Sequence, residues 1–158
     1  MKNEGKRFEE SFKKSVPKDV YYLRMIDPAI GFDITTSTQR FAPKNPYDLV
    51  LYKRPEMMCI ELKSTKGKSF SFDGASPSIA PHQIKALTEA SKYCKAGFVF
   101  NLRTSECTYY VSIEKFNELI KKLNKVSLNE NEIKEIGMII PSKKLRVNYK
   151  YDLSALFI

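Results

Sequence analysis

Two short runs rich in β-branched and aromatic residues, YDLVLY at residues 47–52 and MMCIELKS at 57–64, are separated only by KRPE. Runs of this composition read as strands, and a four-residue break around Pro55 reads as a short turn. The two strands are expected to pair as an antiparallel hairpin. In the second strand alternate side chains share a face, so Glu61 and Lys63 project together, about 6–7 Å apart, while Ile60 and Leu62 pack on the other face. The hairpin carries Asp48 from the neighbouring strand to the same place. Two carboxylates and a lysine are thus expected to converge at the edge of a sheet.

The flanking sequence implies a mixed α/β arrangement. Residues 3–15 read as a helix, with Phe8 and Phe12 on one face and Pro17 just beyond it. VYYLRMI at 20–26 reads as a strand. Residues 27–46, with three prolines, one glycine and the polar run TTSTQR, form a long excursion of the kind often used for function. After the hairpin comes the loop TKGKSFSFDGASPS, then a helix from about Pro81 to Cys94, strands at 97–103 and 107–112, and an amphipathic helix ending near Asn124. Glu130 to Ile136 reads as a further short helix. Helix, three strands, helix, strands, helix is the order of one mixed domain, 1–158, with its core over about 5–120 and residues 121–158 as a C-terminal extension.

Composition bears on what this domain meets. Lys and Arg number 27 against 18 Asp and Glu, a formal charge of +9, and a surplus of that size on 158 residues suits a polyanionic partner, nucleic acid before membrane. At 42% apolar and 28% charged residues the chain is ordinary globular protein, which excludes collagen-like and wholly disordered classes. No apolar run approaches the roughly 20 residues of a membrane span, and the start MKNEGKRFEE has no signal-peptide core, so a soluble, cytoplasmic protein is expected. Cys59, Cys94 and Cys107 lie far apart within apolar patterns and read as buried free thiols. With His82 as the single histidine, a conventional zinc site is not provided for, and any metal should be a hard ion held by oxygen.

Asp48, Glu61 and Lys63 together match the requirements of phosphodiester hydrolysis. Two carboxylates can hold Mg²⁺, which activates water and binds phosphate oxygens, and a lysine supplies positive charge where the transition state accumulates negative charge. Each residue also has a plain structural explanation: E-x-K as a salt bridge on a solvated strand face, and Asp after Pro as a turn residue. The lysine-rich loop directly after, with Lys66 and Lys68, favours the functional reading.

The chain resembles the PD-(D/E)xK nuclease superfamily, and within it the RecU-type Holliday junction resolvases of Gram-positive bacteria and their phages. The family's G-x-x-F-E element on the opening helix is matched by Gly5, Phe8 and Glu9, its Asp-bearing strand by Asp48, its E-x-K strand by Glu61 and Lys63, and its H-Q at the next helix by His82 and Gln83. Archaeal resolvases share the same core pattern, including a run like Glu61 to Thr65. The resemblance spans about residues 5–120 and implies a restriction-endonuclease-like core. It further implies cleavage of four-way DNA junctions by a homodimer, with Asp48, Glu61 and Gln83 at a Mg²⁺ (or Mn²⁺) ion, Lys63 stabilising the transition state and Glu9 approaching from the first helix. Two departures stand out: Tyr47 occupies a position where such resolvases commonly carry threonine, and the segment expected to form a basic stalk holds only Arg40 and Lys44.

Candidate DNA contacts beyond that site are Lys66 and Lys68, Arg40 and Lys44, Phe70 and Phe72 as stacking rings or core, and the basic stretch containing Lys143, Lys144 and Arg146. Glu9 has the alternative of a solvated helix charge, and His82 and Gln83 that of helix caps. The expected function is a Mg²⁺-dependent resolvase making symmetric nicks in branched DNA. The alternatives are another nuclease of the superfamily acting on duplex, and a non-catalytic nucleic-acid-binding module.

Overall fold

A computed structural model describes residues 3–26 and 44–158, together with the backbone pairing of β2 (Phe32–Asp33) with β3 (Thr38–Gln39). Arg40 lies outside the described residues. The opening helix α1 (Glu4–Ser15) begins where the Asn3 side chain accepts the Gly5 N–H, ends with Lys13 and Lys14 at its negative pole, and buries Phe8, Ser11 and Phe12.

β1 (Tyr21–Arg24), β4 (Leu49–Lys53) and β5 (Glu56–Thr65) run antiparallel to their neighbours. The expected hairpin forms, with Leu49 opposite Ile60 and Lys53 opposite Glu56. β5 then pairs in parallel with β7 (Lys95–Leu102) through the crossover helix α2 (Pro81–Ala90). β8 (Cys107–Ser112) and β10 (Met138–Ile139) complete a six-stranded mixed sheet in the order β1-β4-β5-β7-β8-β10. β5 therefore lies inside the sheet, because β1 covers the outer side of β4, and the converging residues sit within it instead of at an edge strand. Its central residues are buried on both faces, as expected of a strand with structure above and below.

Each face of the sheet has its own core. On one side Phe98, Phe100 and Phe116 pack with α2, α3 (Ile113–Lys122) and α4 (Glu130–Ile136); Phe98 lies 4.9 Å from Phe116 and 5.3 Å from Phe100 between ring centres. On the other side Met58, Ile60 and Leu62 meet Phe8 and Phe12 of α1. The C-terminal segment joins both cores: Leu128 of β9 (Ser127–Asn129, paired with β6, Ser69–Ser71) enters the first, and Ile140, Tyr151, Leu153 and Leu156 enter the second. Tyr151 belongs to a two-stranded ribbon of β11 (Ser142–Lys144) and β12 (Tyr149–Tyr151) that lies against α1. Cys59 is buried and Cys94 and Cys107 half-buried, all three as free thiols. No helix among the described residues is long and apolar enough to cross a membrane.

Gly97 marks where β7 and β8 approach most closely, since a Cβ there would lie 2.3 Å from the Val111 carbonyl oxygen. Gly97→Ala is expected to destabilise the protein by about 1–3 kcal/mol, as overpacking of a rigid backbone contact does. A urea titration checks this, and an unchanged midpoint would show that the strands can part without cost.

Candidate active site

The register that places Leu49 opposite Ile60 brings Asp48, one residue earlier, beside Glu61. The Asp48 N–H donates to the Ile60 carbonyl at 3.1 Å, and the Leu62 N–H donates to Asp48 Oδ2 at 2.8 Å. The carboxylate is thereby fixed to the β5 backbone. Glu61 and Lys63 project from the same face of β5, as the alternation requires, and Lys63 Nζ lies 3.1 Å from Glu61 Oε1. Glu61 is only 4% exposed.

α2 contributes Gln83. Pro81 opens the helix, where its missing N–H costs nothing, and Gln83 sits in the first turn facing β5. Its carbonyl accepts the Ala80 N–H at 2.9 Å and its amide nitrogen donates to Glu61 Oε1. In this arrangement Gln83 holds Glu61 in place and turns its carbonyl toward the helix start. Its neighbour His82 is exposed, and its imidazole pKa is lowered by burial of part of the ring and by the charges of Lys44 and Lys63.

α1 contributes Glu9, and the link is a residue that pattern reading passed over. Arg24, the last residue of β1, donates from Nη2 to Glu9 Oε2 at 2.9 Å and from Nη1 to Asp48 Oδ1 at 3.0 Å and the Asp48 carbonyl at 2.8 Å. A charged residue within VYYLRMI was the one signal for it. Its partners became visible only when β1 paired with β4.

Three carboxylates and two cations are thus linked at one corner of the sheet. Burial works against the charge of Arg24, yet Asp48 and Glu9 outweigh it and hold the guanidinium above its usual pKa. Burial pushes Glu9 above the ordinary carboxylate range despite Arg24, with Asp48 adding to the rise. Glu61 is pushed up to about 7, first by burial and then by the neighbouring charge of Asp48, against the pull of Lys63 and Arg24. Fully ionised, the cluster carries one uncompensated negative charge, and the most deeply buried carboxylate bears the strain.

The remaining sequence candidates separate. Lys66 and Lys68 are exposed on the turn after β5. Phe70 is 1% exposed and packs on Phe100 at 4.8 Å, so it is core and does not offer a ring to a base. Phe72 is half-buried, edge-on to Phe116 at 6.2 Å, and belongs to the same core. β6 turns Phe70 inward because it pairs with β9, and the Phe72 N–H, just beyond it, donates to the Val126 carbonyl at 2.9 Å, which extends the same pairing. Lys143 and Lys144 lie on the ribbon and Arg146 in its connecting turn. Lys144 is bound at 2.8 Å to Glu106, which leaves it an ion-pair partner of the β7–β8 turn. Tyr47 shares a hydrogen bond with Cys59 that, with burial, raises its phenol to about 12, and it packs on the helical core.

No known family model matches the sequence. The SPbeta prophage-derived uncharacterized protein YotM of Bacillus subtilis is 34% identical over 170 residues, covering 98% of this chain and 85% of that protein. The chain belongs to the same family as YotM. Among solved structures, Hjc of Archaeoglobus fulgidus, a Holliday junction resolvase, superposes with a TM-score of 0.52 and 14% identity, covering 85% of this chain and 94% of Hjc. This YotM relative accordingly shares the mixed α/β fold of Hjc.

Removing the guanidinium should expose its structural part. Arg24→Ala leaves Glu9 and Asp48 half-buried without their shared donor and is expected to cost about 1–3 kcal/mol of stability. Combined with Glu9→Gln, the loss should be less than the sum of the two single losses, because both changes break one network. A denaturation double-mutant cycle measures this, and strict additivity would show that the network is not a unit.

Proposed function

We propose that the protein is a divalent-metal-dependent DNA endonuclease that resolves four-way junctions by paired symmetric nicks, working as a homodimer in the cytoplasm. The observation that carries this reading is the pairing of Asp48 with Glu61, with Lys63 on the same strand face, on a fold shared with a Holliday junction resolvase. The surplus of nine positive charges supports a polyanionic substrate. Two-fold symmetric cutting suits a two-fold symmetric enzyme.

The donor chemistry fits a hard cation. Among the described residues no group of three or more His, Cys, Asp or Glu side chains forms a ready-made metal cage. Asp48 and Glu61 instead offer a pair of carboxylates, the set on which Mg²⁺ sits while keeping waters and taking substrate oxygens. Mn²⁺ takes the same donors. When bound, the ion supplies Lewis-acid activation of water and of the scissile phosphate. The uncompensated negative charge of the cluster, a divalent cation and one phosphodiester sum to neutrality, so substrate and metal together relieve the repulsion that raises Glu61.

The chain's own residues have distinct tasks in this reading. Gln83 orients Glu61, the Leu62 N–H and Arg24 orient Asp48, and Glu9 keeps Arg24 in place. Lys63, released from Glu61 by the substrate's charge, stabilises the negative charge that grows on the phosphate oxygens.

Asp48→Asn and Glu61→Gln should abolish cleavage of an end-labelled synthetic junction while leaving binding intact. Full activity in either variant removes the assignment. Lys63→Ala should lower single-turnover cleavage by about 10²–10³-fold with little change in affinity, and an unchanged rate would end its role. The same assay on linear duplex of matching sequence, with Mg²⁺ and with chelator, separates the readings. Metal-dependent symmetric nicks confined to the junction support a resolvase; equal cutting of duplex leaves a nuclease of another specificity; binding without cutting supports a non-catalytic module.

A further inference from the structure

The β11–β12 ribbon has two unlike faces. Its inner face is anchored at three levels: Tyr151 is 4% exposed, lies edge-on to Phe8 at 5.7 Å and gives its N–H to Ser15 Oγ at 2.9 Å; Lys144 and Tyr149 both engage Glu106; and Arg7 Nη2 donates to the Val147 carbonyl at 3.1 Å. The outer face sets Lys143 directly opposite Lys150, with exposed Leu145 above them and Arg146 and Val147 at the tip. Like charges directly opposite on a ribbon are destabilising. Among the described residues no acidic side chain pairs with Lys143, Arg146 or Lys150.

The ribbon is also continuous with the end of the sheet that carries the candidate active site. Glu106, which holds the ribbon, belongs to the β7–β8 turn, and in the same turn Thr104 Oγ1 donates at 2.8 Å to the carbonyl of Lys66, next to exposed Lys68. Between that turn, the start of α1 and the ribbon tip lies a cleft of about 270 Å³ lined by Arg7, Arg103 and Lys144 and by the acids Glu4 and Glu106. Arg7 and Lys144 are engaged by those two acids, whereas Arg103 Nε is buried there with no acceptor.

We infer that the outer face of the ribbon is a second DNA contact, which grips the phosphate backbone of a duplex arm leading away from the cleavage site past Arg103 and the Lys66–Lys68 turn. A two-stranded ribbon is of a size to enter a major groove, and the uncompensated Lys143–Lys150 pair is a charge arrangement that only an anion relieves. The inference deepens the nuclease reading and rests on it for the choice of DNA as the anion. It assigns contact to Lys143, Arg146 and Lys150 and withdraws it from Lys144, whose charge is used internally.

The test measures junction and linear-duplex binding by fluorescence anisotropy in chelator, with the full chain carrying Glu61→Gln, over roughly 50–200 mM salt. Adding Lys143→Ala, Arg146→Ala and Lys150→Ala together should lower the slope of log K against log salt by about 2–3 for both DNAs, near one per lost phosphate contact. Lys144→Ala should leave the slope unchanged. Lys143→Ala alone, free of DNA, should melt no lower than the parent, since it removes a repulsion; a merely structural lysine would lower the melting temperature. A parental slope in the triple variant overturns the inference, as does an equal slope loss in Lys144→Ala. If the unmutated protein cuts no DNA while the triple variant still loses its slope, the nuclease reading fails and the ribbon contact stands; cleavage with a parental slope in the triple variant gives the reverse.

Discussion

Leu49 opposite Ile60 is the pairing on which the site and both cores depend. With that register Met58, Ile60 and Leu62 of β5 face α1, while Cys59, Glu61 and Lys63 face the α2 side, and Asp48 falls beside Glu61. A slip of one residue would turn Glu61 into the apolar α1 core and Ile60 onto the α2 side among Asp48 and Gln83, which is costly enough to pin the register. The Leu62 N–H on the Asp48 carboxylate adds a polar lock at the same point. Packing and chemistry are thus set by one alignment of two adjacent strands.

The electrostatics follow from how much charge the register crowds together. Burial first, and then the neighbouring charge of Asp48, push Glu61, the more enclosed of the two, up to about 7. Arg24 and Lys63 offset most of the repulsion, and Gln83 spends its amide on Glu61. Fully ionised, the corner is thus left slightly short of positive charge, with Glu61 and Asp48 each held by hydrogen bonds from neighbouring elements.

The C-terminal segment has its own logic. Tyr151 and Leu153 close the core over α1, so the ribbon is fastened to the helix that carries Glu9, and its basic face is held at a fixed position relative to that helix. Buried aromatic contacts hold the inner face in register. Among the described residues the nearby acids are engaged elsewhere, Glu106 by Lys144 and Tyr149, Glu4 by Arg7 and Asp152 by Ser154, which leaves the outer lysines without an ion-pair partner.

How much of this was legible beforehand differs from element to element. Alternation in MMCIELKS and the short KRPE break were enough for the hairpin and for the convergence of Asp48, Glu61 and Lys63, because strand geometry is local and has a strict period of two. The helix at Glu4–Ser15 followed from the spacing of Phe8 and Phe12 with Pro17 beyond, and the expected short helix at Glu130–Ile136 forms as well. Arg24 could not be placed, since its partners come from α1 and β4 and meet only when β1 docks. Phe70 read as a ring for bases or for the core, and only its pairing across β9 turned it inward. Lys144 and Lys143 looked alike in a run of basic residues, and a ribbon register one residue apart sent the first to Glu106 and the second to solvent. The sequence by itself determined that Asp48, Glu61 and Lys63 converge and which strand presents them, because that is set by local periodicity. Tertiary structure alone decided which charges are neutralised and which stay free, because that depends on neighbours brought together from distant parts of the chain.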